Sequence, residues 1–158
     1  MPRLVKGGKY VFGWTTIREN GNVLIPDEAF AEYHFKASDP VIIMSGSKTS
    51  GGFSVLTTGA LEASEIGQRI FETLGYSKES GSFFTTGLDV KRTGPRYICW
   101  TEIDHGHCIR LSTRFMEAIG INTANKLLVA MGSGLGPAFI SRGPIYEEAL
   151  KHPYLQVF

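Results

Sequence analysis

Two glycine- and serine-rich segments have the composition best suited to binding an anion. They span residues 45–52 and 131–137, and cations accompany them, Lys48 in the first and Arg142 after the second. Backbone N–H groups in such runs can bind a phosphate. Neither segment matches a known phosphate-loop pattern, so flexible hairpin loops are the simpler interpretation and a small anionic ligand is the alternative. The candidate ligand-binding residues are Gly46, Ser47, Lys48, Gly51, Gly132, Ser133, Gly134, Gly136 and Arg142.

One dense basic run, at residues 91–96, is a candidate for contacting nucleic acid. Arginine and lysine neutralise phosphates, and this supplies most of the non-specific affinity for DNA. The run is also consistent with a solvated linker. Its candidate DNA-binding residues are Lys91, Arg92 and Arg96.

A third cluster, at residues 104–108, combines aspartate, histidine and cysteine. In an extended segment His105 and His107 share one face while Cys108 points to the other. Ligands from one rigid strand cannot close a tetrahedral metal site. We therefore expect a polar turn with one buried cysteine and no metal. The sequence also has no G-x-S-x-G motif, so we expect no catalytic residues and no cofactor, which favours a binding protein over an enzyme.

The chain contains an internal repeat with an offset of 86 residues. Trp14 then aligns with Trp100, residues 41–44 align with 127–130, and Phe53 aligns with Phe139. Identities are few, but the apolar positions agree in order, which predicts two copies of one structural unit. The alternative is two unrelated runs that share a spacing.

Each unit is predicted to contain a strand, a turn, a second strand, a short helix and two further strands. In the first unit the turn is 19–22, because Asn-Gly is a strong turn former. The helix begins at Pro26, whose missing N–H costs nothing there. An apolar strand covers 41–44, and the last strand covers 53–56.

The repeat divides the chain into a first unit at residues 1–76, a linker at 77–93 and a second unit at 94–158. A trailing helix is predicted over 61–74, because its apolar residues form one stripe. The C-terminal residues 154–158 are expected to dock on the protein, since a free tail is normally polar.

The composition predicts a folded protein of near-neutral charge. The chain has 158 residues, 42% of them hydrophobic, with sixteen basic and fifteen acidic side chains. This excludes a wholly disordered chain and predicts that any DNA binding is weak. The sequence has two cysteines and no apolar run of the ~20 residues that a membrane span needs. No secretory leader is evident at the N-terminus, so we expect a cytoplasmic protein without membrane contact.

The order of these elements resembles the AbrB/MazE/SpoVT family of swapped-hairpin domains. The resemblance is carried by Thr-Ile-Arg-Glu-Asn-Gly-Asn-Val-Leu-Ile-Pro at 16–26, Asp-Pro-Val-Ile-Ile at 39–43, and more loosely by 111–112 and 119–121. Two such units in one chain are similar to the tandem arrangement of MraZ proteins. The resemblance implies a mainly β, α+β fold in which both units form an intramolecular pseudo-dimer barrel, and DNA binding by a transcription regulator. The candidate DNA-binding residues that it implies lie on the two hairpins and at the start of the second unit's helix, and they are Arg18, Asn20, Asn22, Arg110 and Arg114. We also expect a homo-oligomer, because further assembly would cover exposed sheet edges.

Overall fold

The computed structural model describes residues 10–87, 89–132 and 135–158 and is α+β, mainly β, as predicted. The strands are β1 Val11–Thr16, β2 Asn22–Leu24, β3 Pro40–Ser45, β4 Phe53–Thr57, β5 Tyr76–Ser77, β6 Ser82–Phe83, β7 Lys91–Thr93, β8 Arg96–Glu102, β9 Cys108–Arg110, β10 Lys126–Met131 and β11 Pro137–Ile140. The helices are α1 Asp27–Glu32, α2 Thr58–Glu62, α3 Gly67–Leu74, α4 Thr113–Ile119 and α5 Pro144–Leu150. None of these helices is long and apolar enough to cross a membrane.

Seven strands form one antiparallel sheet in the order β1-β10-β11-β4-β3-β8-β7. Strands β2 and β9 pair separately as a two-stranded ribbon, and β5 pairs with β6. The prediction of a closed barrel is wrong for the part of the chain described: the large sheet is open, with β1 and β7 at its two ends. The C-terminal tail pairs along β1, and β7 pairs along β8, so β1 and β8 do not pair with each other.

Strand pairing in the two halves of the chain follows one register. Trp14 of β1 pairs with Leu128 of β10, and Trp100 of β8 pairs with Ile42 of β3. Both pairs are related by the offset of 86 residues. Strands β1, β3 and β4 of the first half correspond to β8, β10 and β11 of the second. When each strand is replaced by its counterpart, the order β1-β10-β11-β4-β3-β8 is obtained again, read from the opposite end. The first strand of each half therefore pairs with a strand of the other half.

The ungapped alignment fails after the glycine-rich loops. Ile43 pairs with Val55 in the first half, and Val129 pairs with Phe139 in the second. The ungapped alignment predicted Phe53 as the counterpart of Phe139, but the pairing makes Val55 the counterpart. The reason is that the second glycine-rich loop is two residues shorter than the first. Side chains in a strand alternate with a period of two, so this shift keeps every side chain on its predicted face.

Three groups of buried apolar side chains hold the fold together. The largest lies between the sheet, the β2–β9 ribbon and the two helices α1 and α4, and it contains Phe12, Phe53, Phe115 and Phe139. The opposite face of the sheet is covered by α2 and α3 in one half. In the other half α5 and the C-terminal tail cover it. The sheet is therefore buried on both faces.

The helix predicted over 61–74 is two helices. The chain turns after α2, where the Leu61 carbonyl accepts a hydrogen bond from Ser64 N and the Ser64 hydroxyl accepts one from Ile66 N. Such serine bonds compete with helical ones, and α3 begins only at Gly67. The predicted linker contains β6 and β7, which pair with β5 and β8 at its two ends.

The predicted docking of the C-terminal tail is confirmed. Trp14 N donates to Gln156 O at 2.8 Å, and Phe158 N donates to Trp14 O at 2.8 Å. Leu155 is only 7% exposed. The tail thus satisfies the outer edge of β1, as β7 does for β8, and blunts an edge that could pair with another chain.

The two helices on the ribbon side of the sheet, α1 and α4, are each followed by a residue in the left-handed conformation, and only one of the two residues is glycine. After α4 it is Gly120, with φ 74°, and after α1 it is His34, which follows Tyr33 at the helix end and has φ 59°. A side chain costs about 1 kcal/mol in this conformation. We expect His34→Gly to stabilise the protein by roughly 0.5–1 kcal/mol and Gly120→Ala to destabilise it by about the same amount. Thermal unfolding of both variants measures this, and a lower melting temperature for His34→Gly would contradict it.

Candidate functional site

The ribbon formed by β2 and β9 presents one face to the core and one to solvent. Val23 pairs with Ile109, and both side chains are buried. The neighbouring residues point to the outer face, because successive side chains in a strand alternate. Asn22 and Arg110, which pair with each other, therefore lie on the outer face, and Arg110 is exposed.

A tight turn at residues 18–21 lies beside Arg110. Arg18 N donates to Asn22 O at 2.9 Å, and Arg110 Nε donates to Asn20 O at 3.2 Å. The Asn-Gly turn is thus present, but the strand after it pairs with β9 from the other half and not with β1. This exchange brings Arg18, Asn20 and Asn22 together with Arg110, although 86 or more residues separate Arg110 from each of them along the chain.

The side chain of Arg18 also lies on the outer face, over Cys108. Its Nη1 is 3.9 Å from Cys108 Sγ. Burial raises the pKa of the Cys108 thiol, Asp104 raises it further, and Arg18 opposes both. The thiol therefore stays protonated near neutral pH and is a poor nucleophile.

Two solvent-open hollows flank Arg110. One, of about 530 Å³, includes Trp100 and Glu102, and the other, of about 420 Å³, includes Glu117. Both are lined by Asn20, Arg110 and Thr113. The Arg110 guanidinium thus stands between two concave surfaces that are open to a ligand.

Arg114 lies at the same end of the ribbon but outside this cluster. It is an exposed residue in the first turn of α4, whose first N–H groups are capped by Ser112, with Phe115 N donating to Ser112 Oγ at 3.1 Å. Arg114 lines neither hollow beside Arg110. Among the residues described, Arg18, Arg110 and Arg114 form no ion pair with a carboxylate within 4 Å.

The remaining predicted DNA-binding residues lie elsewhere. Lys91, Arg92 and Arg96 belong to the β7–β8 hairpin, where Arg92 stacks over Tyr97 at 5.0 Å. Strand β8 runs from Arg96 to Glu102, a length of roughly 20 Å, before the chain reaches the ribbon. The predicted set therefore divides into a ribbon group and a hairpin group.

Part of the predicted anion site is assembled around one small hollow. Gly46, Ser47, Gly51 and Gly132 line a volume of about 170 Å³. Arg96 also lines it, and its Nη1 donates to Ser45 O at 3.0 Å. Arg96 was predicted to contact DNA and not to lie beside these loops. The pairing of β8 with β3 brings it close to them.

The loop glycines are also required by the backbone itself. A Cβ on Gly46 would lie 2.0 Å from Gly51 O, and one on Gly132 would lie 2.1 Å from Gly136 O. Gly136 packs equally closely on Val55 O. These contacts account for the glycines without a ligand.

The two loop cations are placed differently. Arg142 donates from Nε and Nη2 to the carbonyl oxygen of Lys48, at 3.1 and 2.9 Å, so it joins the first loop to the strand end of the second half. Neither Lys48 nor Arg142 lines the 170 Å³ hollow. Ser133 and Gly134 lie outside the described residues.

The histidine and cysteine cluster forms a turn. Asp104 Oδ1 accepts hydrogen bonds from Gly106 N and Cys108 N, both at 2.9 Å. The His107 ring stacks on Phe30 at 3.7 Å, and its Nδ1 lies 3.2 Å from Asp27 Oδ1. Within the ranges that the structure describes, no group of three metal-ligating side chains was found.

Another hollow, of about 680 Å³, was not predicted from the sequence. It lies between the end of α1, the start of α2 and the end of β10, and it includes Tyr33, Lys36, Asp39, Thr57 and Met131. Burial is the main cause that raises the pKa of Tyr33, and the Gly132 backbone opposes it. These residues come from separate segments and match no motif, so no sequence pattern could have grouped them.

The chain matches no family model, and no curated protein is significantly similar to it. The evidence for function therefore lies in the ribbon, its arginines and the relation between the two halves of the chain.

Proposed function

We propose that this protein binds double-stranded DNA through the outer face of the β2–β9 ribbon, in the manner expected of an AbrB/MazE/SpoVT-like transcription regulator. The observation that carries the proposal is the position of Arg18 and Arg110. Both are exposed, both lie on the outer face of the ribbon, and no carboxylate of the described residues pairs with either. Unpaired guanidinium groups on one open face are suited to phosphate oxygens.

The architecture supports the same proposal. We infer that the two halves are duplicated swapped-hairpin units that form an internal pseudo-dimer. The support is the common register of β1–β10 and β3–β8, together with a ribbon in which Val23 pairs with its own counterpart, Ile109. Two copies related by a two-fold axis produce such self-pairing, because each residue on the axis meets its equivalent.

The chemistry at the ribbon divides into two roles. Arg18 and Arg110 would neutralise phosphates, and the amide side chains of Asn20 and Asn22 can bind base edges. Asn20 is exposed and Asn22 is half-buried beside Arg110. Few cations are involved, so we expect affinity that is modest and depends on salt.

Replacing Arg110 with alanine tests the proposal. We expect wild-type protein to bind a mixed-sequence duplex at low salt, and Arg110→Ala to bind about tenfold more weakly at 0.1 M salt. The slope of log K against log salt should become less steep by about one unit. Fluorescence anisotropy of a labelled duplex, titrated at several salt concentrations, measures both quantities.

Arg69→Ala is the matched control, because Arg69 is an exposed arginine on α3, which packs on the opposite face of the sheet. It makes the same change in charge away from the ribbon. Equal loss of affinity in the two variants would contradict a ribbon site. Failure of wild-type protein to bind at low salt would overturn the proposal.

A small anionic ligand is the second candidate function, favoured by the position of Arg96 at the 170 Å³ hollow. Inorganic phosphate or a nucleotide bound there would stabilise the folded protein. Thermal unfolding with and without millimolar phosphate, for wild type and Arg96→Ala, tests it. Stabilisation that Arg96→Ala retains, or none at all, would exclude this site.

A further inference from the structure

The two ends of the ribbon are alike in fold and differ in charge at corresponding positions. At the offset of 86 residues, Arg18 corresponds to Asp104 and Glu28 corresponds to Arg114. At these two pairs of positions a cation in one half corresponds to a carboxylate in the other. Arg110 corresponds to the uncharged Leu24.

The structure places these residues at separate ends of the ribbon. The turn 18–21 contacts Arg110, and Asn20 lines both hollows with Thr113 at the start of α4. At the other end, the turn 104–107 contacts the start of α1 through His107 and Asp27. The first end therefore carries Arg110 and Arg114 together with Glu19, while the Arg18 guanidinium extends from this end along the outer face to Cys108. The second end carries Asp27, Glu28 and Asp104. All of these charged residues are exposed.

We propose that only the basic end of the ribbon binds DNA and that the acidic end repels it, so that one chain contacts a single DNA segment without two-fold symmetry. This inference rests on the proposed function. Two equivalent basic ends would fit a palindromic site, because operator symmetry mirrors protein symmetry. Here the acidic residues at the second end place like charges against the phosphates.

The number of phosphate contacts follows from three arginines. Arg18, Arg110 and Arg114 together give a slope of log K against log salt of roughly −3, whereas two equivalent sets would give about −6. Neutralising the acidic end should strengthen binding, since it removes negative charge from the ribbon and replaces no arginine. We expect Glu28→Gln combined with Asp104→Asn to bind roughly threefold to tenfold more tightly at low salt.

These substitutions are conservative at both positions. The side-chain amide oxygen that Asp104→Asn introduces can still accept the two backbone hydrogen bonds that Asp104 Oδ1 accepts from Gly106 and Cys108. Glu62→Gln combined with Glu65→Gln is the matched control, because it removes two exposed carboxylates in and just after α2, on the opposite face of the sheet. Urea unfolding of each variant verifies that its stability is unchanged.

Anisotropy titrations of wild type and both double variants decide the question. A slope near −3, with tighter binding only for Glu28→Gln/Asp104→Asn, supports the inference. A slope near −6, or equal affinities of the two double variants, overturns it while leaving the proposed function intact. Absence of wild-type binding at low salt overturns the proposed function itself, and the inference with it.

Discussion

Replacing Gly52 with alanine is expected to destabilise the protein by about 3 kcal/mol or more. Gly52 ends the first glycine-rich loop with φ 61°, a left-handed conformation that penalises any side chain. A Cβ there would also lie 1.8 Å from the carbonyl oxygen of Phe139, in the strand across the centre of the sheet. Because the new methyl group would clash with backbone atoms, no change of a side-chain rotamer could relieve the clash, and β4 and β11 would have to separate.

Gly59→Ala is the matched control for this substitution. Gly59 lies in α2, and a Cβ there would meet no atom within 4 Å. Alanine favours a helix over glycine by roughly 1 kcal/mol, so Gly59→Ala should be neutral or stabilising. Urea unfolding gives both values, with similar m-values expected. Equal stability of the two variants would show that β4 and β11 do not approach as closely as described.

Replacing Phe139 with alanine should cost about 3–5 kcal/mol, because it leaves a cavity in a core that cannot fully collapse. The Phe139 side chain is 0% exposed. It stacks on Phe53 across the β4–β11 contact, with ring centroids 4.9 Å apart. Both rings belong to the core group between the sheet and the ribbon, so the loss affects the contact between the two halves.

Phe84→Ala provides the comparison, because the Phe84 side chain is 81% exposed. The same atoms are removed, but little buried surface is lost, and a change within roughly 0.5 kcal/mol is expected. Urea unfolding midpoints measure both variants. A large loss for Phe84→Ala would contradict its exposed position, and a small loss for Phe139→Ala would contradict the central role of the aromatic stack.

Much of the fold was predictable from local sequence patterns. Apolar runs located β3 and β10, Pro26 located the start of α1, and the repeat located corresponding elements in both halves. The open sheet was not predictable, because it depends on the tail and β7 covering the outer strands. The break between α2 and α3 was also missed, since the apolar stripe continues across Ser64.

The candidate site was predicted residue by residue but not as a group. The resemblance to swapped-hairpin domains pointed to both Arg18 and Arg110. Their proximity depends on the exchange of pairing that joins β2 to β9, which no local pattern specifies. Arg96 was likewise predicted to bind DNA, because strand pairing between distant segments is not visible in the sequence. The pairing of β8 with β3 instead brings Arg96 to the glycine-rich loops.

The exchange of strands between the two halves has a consequence for how the chain folds. Neither half can complete its own sheet, because β1 needs β10 and β8 needs β3. Contacts between residues so distant in sequence form late and slow the folding reaction. A chain cut between residues 77 and 93 would therefore refold as a bimolecular reaction, with a rate that rises with the concentration of the complementary fragment.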